Sequence, residues 1–237
     1  MAMGPETAVA EPLSFPKISV TFEEASGPQE VLPALQLTFL VTVLTLAPAM
    51  LILLTAFTRI IVVLSLLRQA IGTPDLPPNQ VLIGMALFLT FFVMAPVSSE
   101  INQQALQPYL GSKISQGEAL ERAAKPIRAF MFKQTREKDL ALMVGLANLP
   151  RPKDLDMVPT STLIPAFVIS ELKTAFQIGF VLFIPFLIID MVVTSVLLSM
   201  GMLFLPPVMI SLPLKILLFV MADGWPLVVQ ALVMGFR

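Results

Sequence analysis

The chain has 237 residues, of which 56% are hydrophobic and only 13% are charged, and its formal net charge is −1. Soluble domains carry about 25% charged residues, so this composition indicates a membrane or membrane-associated protein. The balanced charge gives no reason to expect a nucleic-acid partner. The sequence contains no cysteine and no histidine, which excludes thiol and imidazole chemistry, disulfides and the usual zinc sites, and we expect no metal and no cofactor.

Residues 1–30 are polar, acidic and contain several prolines, and we predict an exported N-terminal segment. Within it, Ala8-Val9-Ala10 has the small-x-small pattern of a signal-peptidase site. Neither a basic nor an apolar region precedes this pattern. Two interpretations are therefore open: the remnant of a cleaved signal peptide, or a chance alanine-rich tail.

Residues 31–97 predict a first helical hairpin. The apolar run that begins at Val31 is longer than the ~20 residues that a membrane span needs, and it contains Pro48. Arg59 interrupts the run near its end. The proline-rich stretch 72–80 is typical of a tight connector, and a second apolar segment follows it.

Residues 98–161 carry most of the charge of the chain and predict a helical region outside the membrane. Ser115 and Glu118 fit a capping box at the start of a helix. Pro126 is expected to stop or kink that helix. Apolar residues then recur at roughly helical spacing among charged ones, which predicts a pair of amphipathic helices. These apolar residues are Ile127, Phe130, Met131, Leu140, Met143, Val144 and Ala147.

Residues 162–237 predict a second hairpin. Its first helix would be ~40 Å long at 1.5 Å per residue. The stretch from Gly201 to Pro207 predicts a turn inside apolar surroundings. The predicted fold class is therefore all-α: kinked, membrane-associated helical hairpins with a helical insert outside the membrane.

The distribution of basic residues predicts a topology. Short loops that carry lysine or arginine prefer the cytoplasm, whereas long loops are translocated largely regardless of charge. The short connector 68–80 would then face the cytoplasm, and the long region 98–161 would face the periplasm.

Charged residues inside the apolar segments are the most informative feature of the sequence. A charge inside the hydrocarbon costs about 2.5–3.5 kcal/mol on insertion scales, so each of these residues needs a partner. Glu171 and Lys173 are two positions apart and therefore point to different faces of a helix. The charges are explained equally well by contacts between subunits or a wet conduit, and by pairing within the chain, for example of Lys215 with Glu171. The embedded charged residues are Arg59, Glu171, Lys173, Asp190 and Lys215.

Methionines surround the predicted turn. Methionine is flexible and fills irregular space, so a methionine-rich turn could close a pore, but on the residues alone ordinary apolar packing is the favoured explanation. The sequence has no nucleophile–base pair and no nucleotide-binding loop, so we predict that the protein is not an enzyme. The methionines in question are Met191, Met200, Met202, Met209 and Met221.

Four stretches resemble the FliP family of flagellar type III export-gate proteins, which has relatives in virulence secretion systems. The resemblance covers the chain from about Leu37 to its C-terminus. The stretches are "FTRIIVVLSLLRQAIGTPDLPPNQVLIGMALFLTFFVMAPV", "IRAFMFKQTREKDLAL", "PAFVISELKTAFQIGFVLFIPFLIIDMVV" and "LPPVMISLPLKILLFVMADGW".

The resemblance implies a ring of five such subunits, joined by FliQ and FliR, in the bacterial inner membrane and the flagellar basal body. Such a complex is the portal for unfolded flagellar proteins and works with other export-apparatus proteins such as FlhB and FlhA. Membrane lipid would also contact it. The resemblance further implies a pore constriction and a set of subunit contacts. The constriction would comprise Met200, Met202, Leu203 and Phe204, and the contacts would comprise Arg59, Phe130, Glu171, Lys173, Asp190 and Lys215.

Two alternatives differ from this interpretation. One is a subunit of an injectisome, with the same mechanism in a virulence machine. The other is a small-solute or ion transporter that uses Glu171 and Asp190 as coupling carboxylates. Such transporters usually show an internal repeat, which this sequence does not display.

Overall fold

The computed structural model describes residues 28–150, 154–202 and 204–236. All regular elements in these ranges are helical, which confirms the predicted all-α class. The motif Ala8-Val9-Ala10 and the predicted constriction residue Leu203 lie outside the described residues.

Nine α-helices follow one another along the described chain. A π-helical turn, Asn102–Leu106, joins α3 to α4, and a 3-10 turn, Leu155–Met157, precedes α7. The helices are α1 (Pro28–Leu53), α2 (Phe57–Ile71), α3 (Asn79–Ile101), α4 (Gln107–Leu110), α5 (Gln116–Gln134), α6 (Glu137–Leu146), α7 (Thr160–Ser199), α8 (Pro207–Met221) and α9 (Gly224–Met234).

The chain divides into two units at residue 45. The described part of the first unit is the N-terminal portion of α1, where the side chains from Leu35 onward are exposed. The second unit, from Leu46 to the C-terminus, contains the remaining helices and the hydrophobic core.

Two helical stretches in the described chain are long and apolar enough to cross a membrane. One runs without a break from Asn79 to Leu110, and the other is α7, with 40 residues. Helices α8 and α9 meet at 65° and give a third candidate if the bent pair counts as one span. Because a span needs ~20 apolar residues, the chain has the helices of a membrane protein.

The core of the second unit lies mainly between α2 and α7. Helix α2 places Ile60, Val63, Leu64 and Leu67 inside, at the three- and four-residue spacing of one helical face. Helix α7 contributes Phe167, which is fully buried, to the same cluster. A single buried face on α2 therefore determines which side of α7 becomes the interior.

The two helices approach each other closely at Gly179 of α7. A Cβ atom at this position would lie 2.3 Å from Cδ1 and 3.1 Å from Cβ of Leu66. The absent side chain thus makes room for the α2 leucine, as small residues do where membrane helices come into contact.

Several predicted boundaries agree with the structure. Gly72 ends α2 with φ +89°, a left-handed conformation that glycine adopts without strain. The connector to α3 follows it, as predicted. The backbone N–H of Glu118 donates to the Ser115 hydroxyl over 3.3 Å at the start of α5. The carboxylate of Glu118, however, binds Arg122 instead of returning to the cap.

The structure shows where two of the predicted helical runs end. Pro126 does not stop α5, which continues to Gln134 because Phe130 and Met131 of its last turns are buried in the core. The first apolar run breaks at residues 54–56, shortly before Arg59. There the Thr55 hydroxyl donates to the carbonyl of Ile52, a local hydrogen bond that competes with the helix.

Candidate functional site

Arg59 and Glu171 form an ion pair in the interior of the second unit. Arg59 Nε donates to Glu171 Oε2 over 3.0 Å, and Arg59 Nη2 donates to Oε1. Arg59 is 2% exposed and Glu171 is 0% exposed. Two parallel N–H···O bonds between planar groups fix the relative orientation of α2 and α7 as well as their distance.

The same guanidinium holds the C-terminal segment. Nη1 of Arg59 donates to the carbonyl of Gly235 over 2.9 Å, and Nη2 donates to Oε1 of Gln134 over 3.0 Å. The Gln134 amide in turn donates to the carbonyl of Phe236 over 3.1 Å. These two carbonyls lie beyond the last residue of α9 and accept no hydrogen bond within that helix. Arg59 and Gln134 supply the donors that they need.

Aromatic rings close this network on one side. The Arg59 guanidinium carbon lies 3.9 Å from the centre of the Phe236 ring, which is a cation–π distance. Phe130 stacks on Phe236 with centroids 6.2 Å apart and meets Phe167 edge-on at 6.0 Å. The network therefore joins α2, α5, α7 and the C-terminal segment through one cation.

A second ion pair joins α7 to α8. Nζ of Lys215 lies 2.6 Å from Oδ2 of Asp190, and the Ser211 hydroxyl donates to Oδ1 over 2.7 Å. The side chain of Lys215 is 7% exposed, whereas that of Asp190 is 40% exposed. The pair fastens the two helices that flank the predicted pore-constricting turn.

A third polar cluster fastens the turn between α5 and α6 to α7. The backbone N–H of Arg136 donates to the Ser170 hydroxyl over 3.1 Å, and that hydroxyl donates to Oδ2 of Asp139 over 2.7 Å. Arg136 also pairs with the same oxygen at 2.6 Å. The Ser170 hydrogen bond, assisted by Arg136, lowers the pKa of Asp139 below its ordinary value, in spite of partial desolvation.

The turn after α7 carries the residues predicted to constrict a pore. Gly201 has φ +74°, which allows the chain to reverse, and Pro207 begins α8. The Phe204 side chain is fully exposed at 101%, and Met200 and Met202 are 65% and 42% exposed. In a single chain, these side chains are therefore available to meet other molecules.

The predicted subunit contacts fall into two groups. Arg59, Glu171, Phe130 and Lys215 are buried within the chain, and their contact with a neighbouring subunit stays a prediction. The three charged residues among them already have partners within the chain, because charges in an apolar interior are stabilised by the nearest opposite charge. Lys173 is exposed and Asp190 is partly exposed, and for these two residues the contact role remains a prediction.

The partner of Lys215 also differs from the one that the sequence analysis gave as an example. The charges do pair within the chain, but Lys215 binds Asp190 instead of Glu171. Glu171 and Lys173 lie on different faces of α7, as their spacing predicted: one is buried and the other is exposed.

Sequence reasoning missed several members of these clusters, among them Gln134, Asp139, Ser170 and Phe236. Their partners come from other helices or from the C-terminal segment. A single sequence gives no signal for such contacts, although the polar Ser170 beside Glu171 in an apolar helix was a visible anomaly.

The fold and the buried ion pairs define an all-α membrane protein whose long apolar helices are fastened to one another by side-chain charges. A model of the FliP family matches residues 40–232. The chain belongs to this family.

Named relatives support the assignment over most of the chain. The chain is 59% identical to the flagellar biosynthetic protein FliP of Bacillus subtilis (strain 168) over 212 residues, which cover 90% of this chain and 96% of the relative. It is 54% identical to that of Pectobacterium carotovorum subsp. carotovorum, with 92% and 84% covered. It is 50% identical to that of Aquifex aeolicus (strain VF5), with 89% of each covered.

Proposed function

We propose that this protein is a subunit of the flagellar type III protein export gate and acts in the assembly of the flagellum. The observation that carries this proposal is membership of the FliP family over residues 40–232. The relatives described above are named flagellar biosynthetic proteins, which favours the flagellar machine over an injectisome.

The proposed working unit is a ring of five copies, completed by FliQ and FliR, in the bacterial inner membrane at the flagellar basal body. The support from the structure is the amount of apolar surface that one chain leaves uncovered. Large aromatic side chains on α3 and α7 are more than half exposed: Phe88, Phe91, Phe92, Phe176 and Phe180. Surfaces of this kind are covered by lipid or by other protein chains.

The proposed route for the exported polypeptide passes the turn between α7 and α8. Because Met202 and Phe204 project from the turn, several copies around an axis would bring apolar, deformable side chains together. Such a constriction excludes water and ions by dewetting at rest and yields to an unfolded chain. Neither the exclusion of water and ions nor the passage of an unfolded chain requires covalent chemistry, so the proposed role is not enzymatic.

The assembly can be tested by counting subunits. The full chain is coexpressed with FliQ and FliR, purified in a mild detergent and weighed by native mass spectrometry. The proposal predicts complexes with five copies of this chain. A stable monomer or dimer that transports a small solute after reconstitution would contradict it and favour the transporter alternative.

The proposed orientation can be tested separately. A single cysteine at Lys113, in the region 98–161, should react with a membrane-impermeant maleimide in intact cells whose outer membrane has been permeabilised. A cysteine at Asp75, in the connector between α2 and α3, should react only after the inner membrane is opened. The opposite pattern would overturn the periplasmic placement of 98–161.

A further inference from the structure

We propose that α8 and α9 form a lever, that the two residues after α9 latch its far end to Arg59 and Gln134, and that this latch holds the turn between α7 and α8 in its resting position. The lever has three parts: the latch at Gly235 and Phe236, the elbow between α8 and α9, and a fulcrum at Lys215. Its effect on the turn rests on the export-gate function proposed above, whereas the lever itself does not.

The latch fastens the segment after α9 through hydrogen bonds and a ring contact. The Gly235 carbonyl accepts from Arg59 over 2.9 Å, and the Phe236 carbonyl accepts from Gln134 over 3.1 Å. The Phe236 ring is buried and lies against the Arg59 guanidinium. Within the described chain, α8 is the only helix with which α9 has an extended interface. The latch therefore supplies the polar attachment of the far end of α9 to α2 and α5.

The elbow between α8 and α9 is closely packed. The two helices meet at 65°. The backbone at Gly224 lies against the ring of Phe219, since a Cβ atom there would be 2.2 Å from Cδ2 and Cε2 of that ring. Trp225 meets the same ring edge-on with centroids 5.3 Å apart. A joint without free space does not act as a loose hinge, so a displacement of α9 is passed on to α8.

The fulcrum lies between the elbow and the turn. Nζ of Lys215 lies 2.6 Å from Oδ2 of Asp190, and Ser211 donates to the other oxygen, which fixes the middle of α8 to α7. From Pro207, where α8 begins, to Lys215 there are eight helical steps, or about 12 Å at 1.5 Å per residue. A displacement of α9 about this point moves the other end of α8 in the opposite direction. Because α8 directly follows the turn, the latch determines where the proposed constriction rests.

The test of the lever uses the native tryptophan. Trp225 is the single tryptophan of the chain and lies at the elbow. From Trp225 to Met234 there are nine helical steps, or about 14 Å, so a substitution in the latch acts on the indole through α9. The full chain is purified in detergent, and its emission spectrum and quenching by acrylamide are recorded. Circular dichroism confirms that the helices are retained.

Two latch variants should change the surroundings of Trp225. Phe236→Ala removes the ring contact, and Gln134→Met removes the hydrogen bond to the Phe236 carbonyl but keeps a side chain of similar size. Both should shift the emission to longer wavelength and increase quenching, because the elbow moves away from Phe186 of α7, whose ring lies 6.4 Å from that of Phe219. Water then reaches the indole.

The matched control is a cavity elsewhere in the same core. Leu163 is 0% exposed and belongs to the hydrophobic core, but it takes part in none of the hydrogen bonds or ring contacts of the latch. Leu163→Ala should therefore leave the Trp225 emission and its quenching unchanged as long as the variant is folded.

The effect on the turn is measured in the assembled complex. The full chain with FliQ and FliR is reconstituted into planar bilayers, and both latch variants should raise the resting ion conductance without a change in the number of subunits. The variant Met202→Ala, Phe204→Ala is the positive control for a leak. If this control does not leak, the proposed constriction fails and the effect on the turn fails with it, while the Trp225 measurement still decides the lever.

Four outcomes would overturn the inference. A folded latch variant with an unchanged Trp225 spectrum would exclude the lever. An equal shift in Leu163→Ala would mean that the tryptophan reports general loosening of the core. A Trp225 shift in an assembled complex that does not leak would exclude control of the turn. If Phe236→Ala does not fold, Gln134→Met decides, and loss of folding in both would assign the latch to stability alone.

Discussion

Arg59 and Glu171 are 112 positions apart in the chain, yet the guanidinium of one donates to both carboxylate oxygens of the other inside the protein. The pair joins the first apolar region to the second. It compensates both charges within a single subunit, so that neither one has to be compensated by lipid or by a neighbouring chain.

Removal of the negative charge alone should destabilise the fold strongly. In Glu171→Gln, Arg59 stays buried without a counter-charge, and breaking a buried pair in this way costs about 3–5 kcal/mol. Denaturation in detergent, followed by circular dichroism, measures the loss. The double variant Arg59→Met with Glu171→Met should recover part of the stability, because it leaves no buried charge. Lys173→Gln, two positions away on the exposed face, should change stability by less than about 0.5 kcal/mol; a comparable loss there would refute the assignment.

The pair between Asp190 and Lys215 should respond asymmetrically. Asp190→Asn leaves the buried Lys215 ammonium without its anion and should cost about 3 kcal/mol. Lys215→Met leaves a carboxylate that is 40% exposed and still accepts from Ser211, so the loss should be nearer 1 kcal/mol. Thermal unfolding of the two variants under identical conditions gives the comparison. Equal losses would mean that burial does not govern this pair.

Asp139 predicts a dependence of stability on pH. Its pKa in the folded protein is lowered from the ordinary value of 3.8, chiefly by the Ser170 hydrogen bond and then by Arg136. The carboxylate therefore contributes stability above pH 3.8, and this contribution is lost as the pH falls through the folded pKa. The difference in unfolding free energy between wild type and Asp139→Asn should be constant from pH 7 to pH 5 and shrink below about pH 4. Ser170→Ala should reduce the difference, and a gap that widens in acid would contradict the sign.

Gly179 should be sensitive to the smallest substitution. In Gly179→Ala the new methyl group overlaps Leu66, and overpacking of this kind costs about 1–3 kcal/mol. Gly84→Ala in α3 is the matched control, since no atom lies within 4 Å of the added methyl. Alanine should stabilise that helix by about 0.5–1 kcal/mol. Opposite signs for the two variants in the same unfolding assay are the expected result, and the same sign would refute the close approach of α2 and α7.

The turn residues should affect conductance without affecting the fold. Phe204 is fully exposed and Met202 is 42% exposed, so the double variant Met202→Ala, Phe204→Ala should change stability by less than about 1 kcal/mol. If these side chains form the constriction of an assembled complex, the variant should assemble normally and conduct ions in planar bilayers. An assembled complex that does not leak would count against the gate, and a failure to assemble would indicate that the residues pack between chains.

The secondary structure could be predicted largely from the sequence, because the decisive interactions are local. Three features determine helices or their ends within a few residues of their own position. They are the long apolar run of α7, the glycine that ends α2 and the serine that caps α5. The opposite orientations of Glu171 and Lys173 also follow from helical geometry alone. The end of α5 was not predictable in this way, because distant core contacts outweigh the local effect of Pro126.

The partners of the buried charges were decided only by the tertiary structure. The sequence showed that Arg59, Glu171, Asp190 and Lys215 each needed compensation, since charges are costly in apolar surroundings. It did not show which charged side chain pairs with which, because electrostatic pairing depends on distances between helices that are far apart in the chain. The close approach of α2 and α7 at Gly179 brings Arg59 to Glu171, and the reversal at Gly201 brings Lys215 back to Asp190.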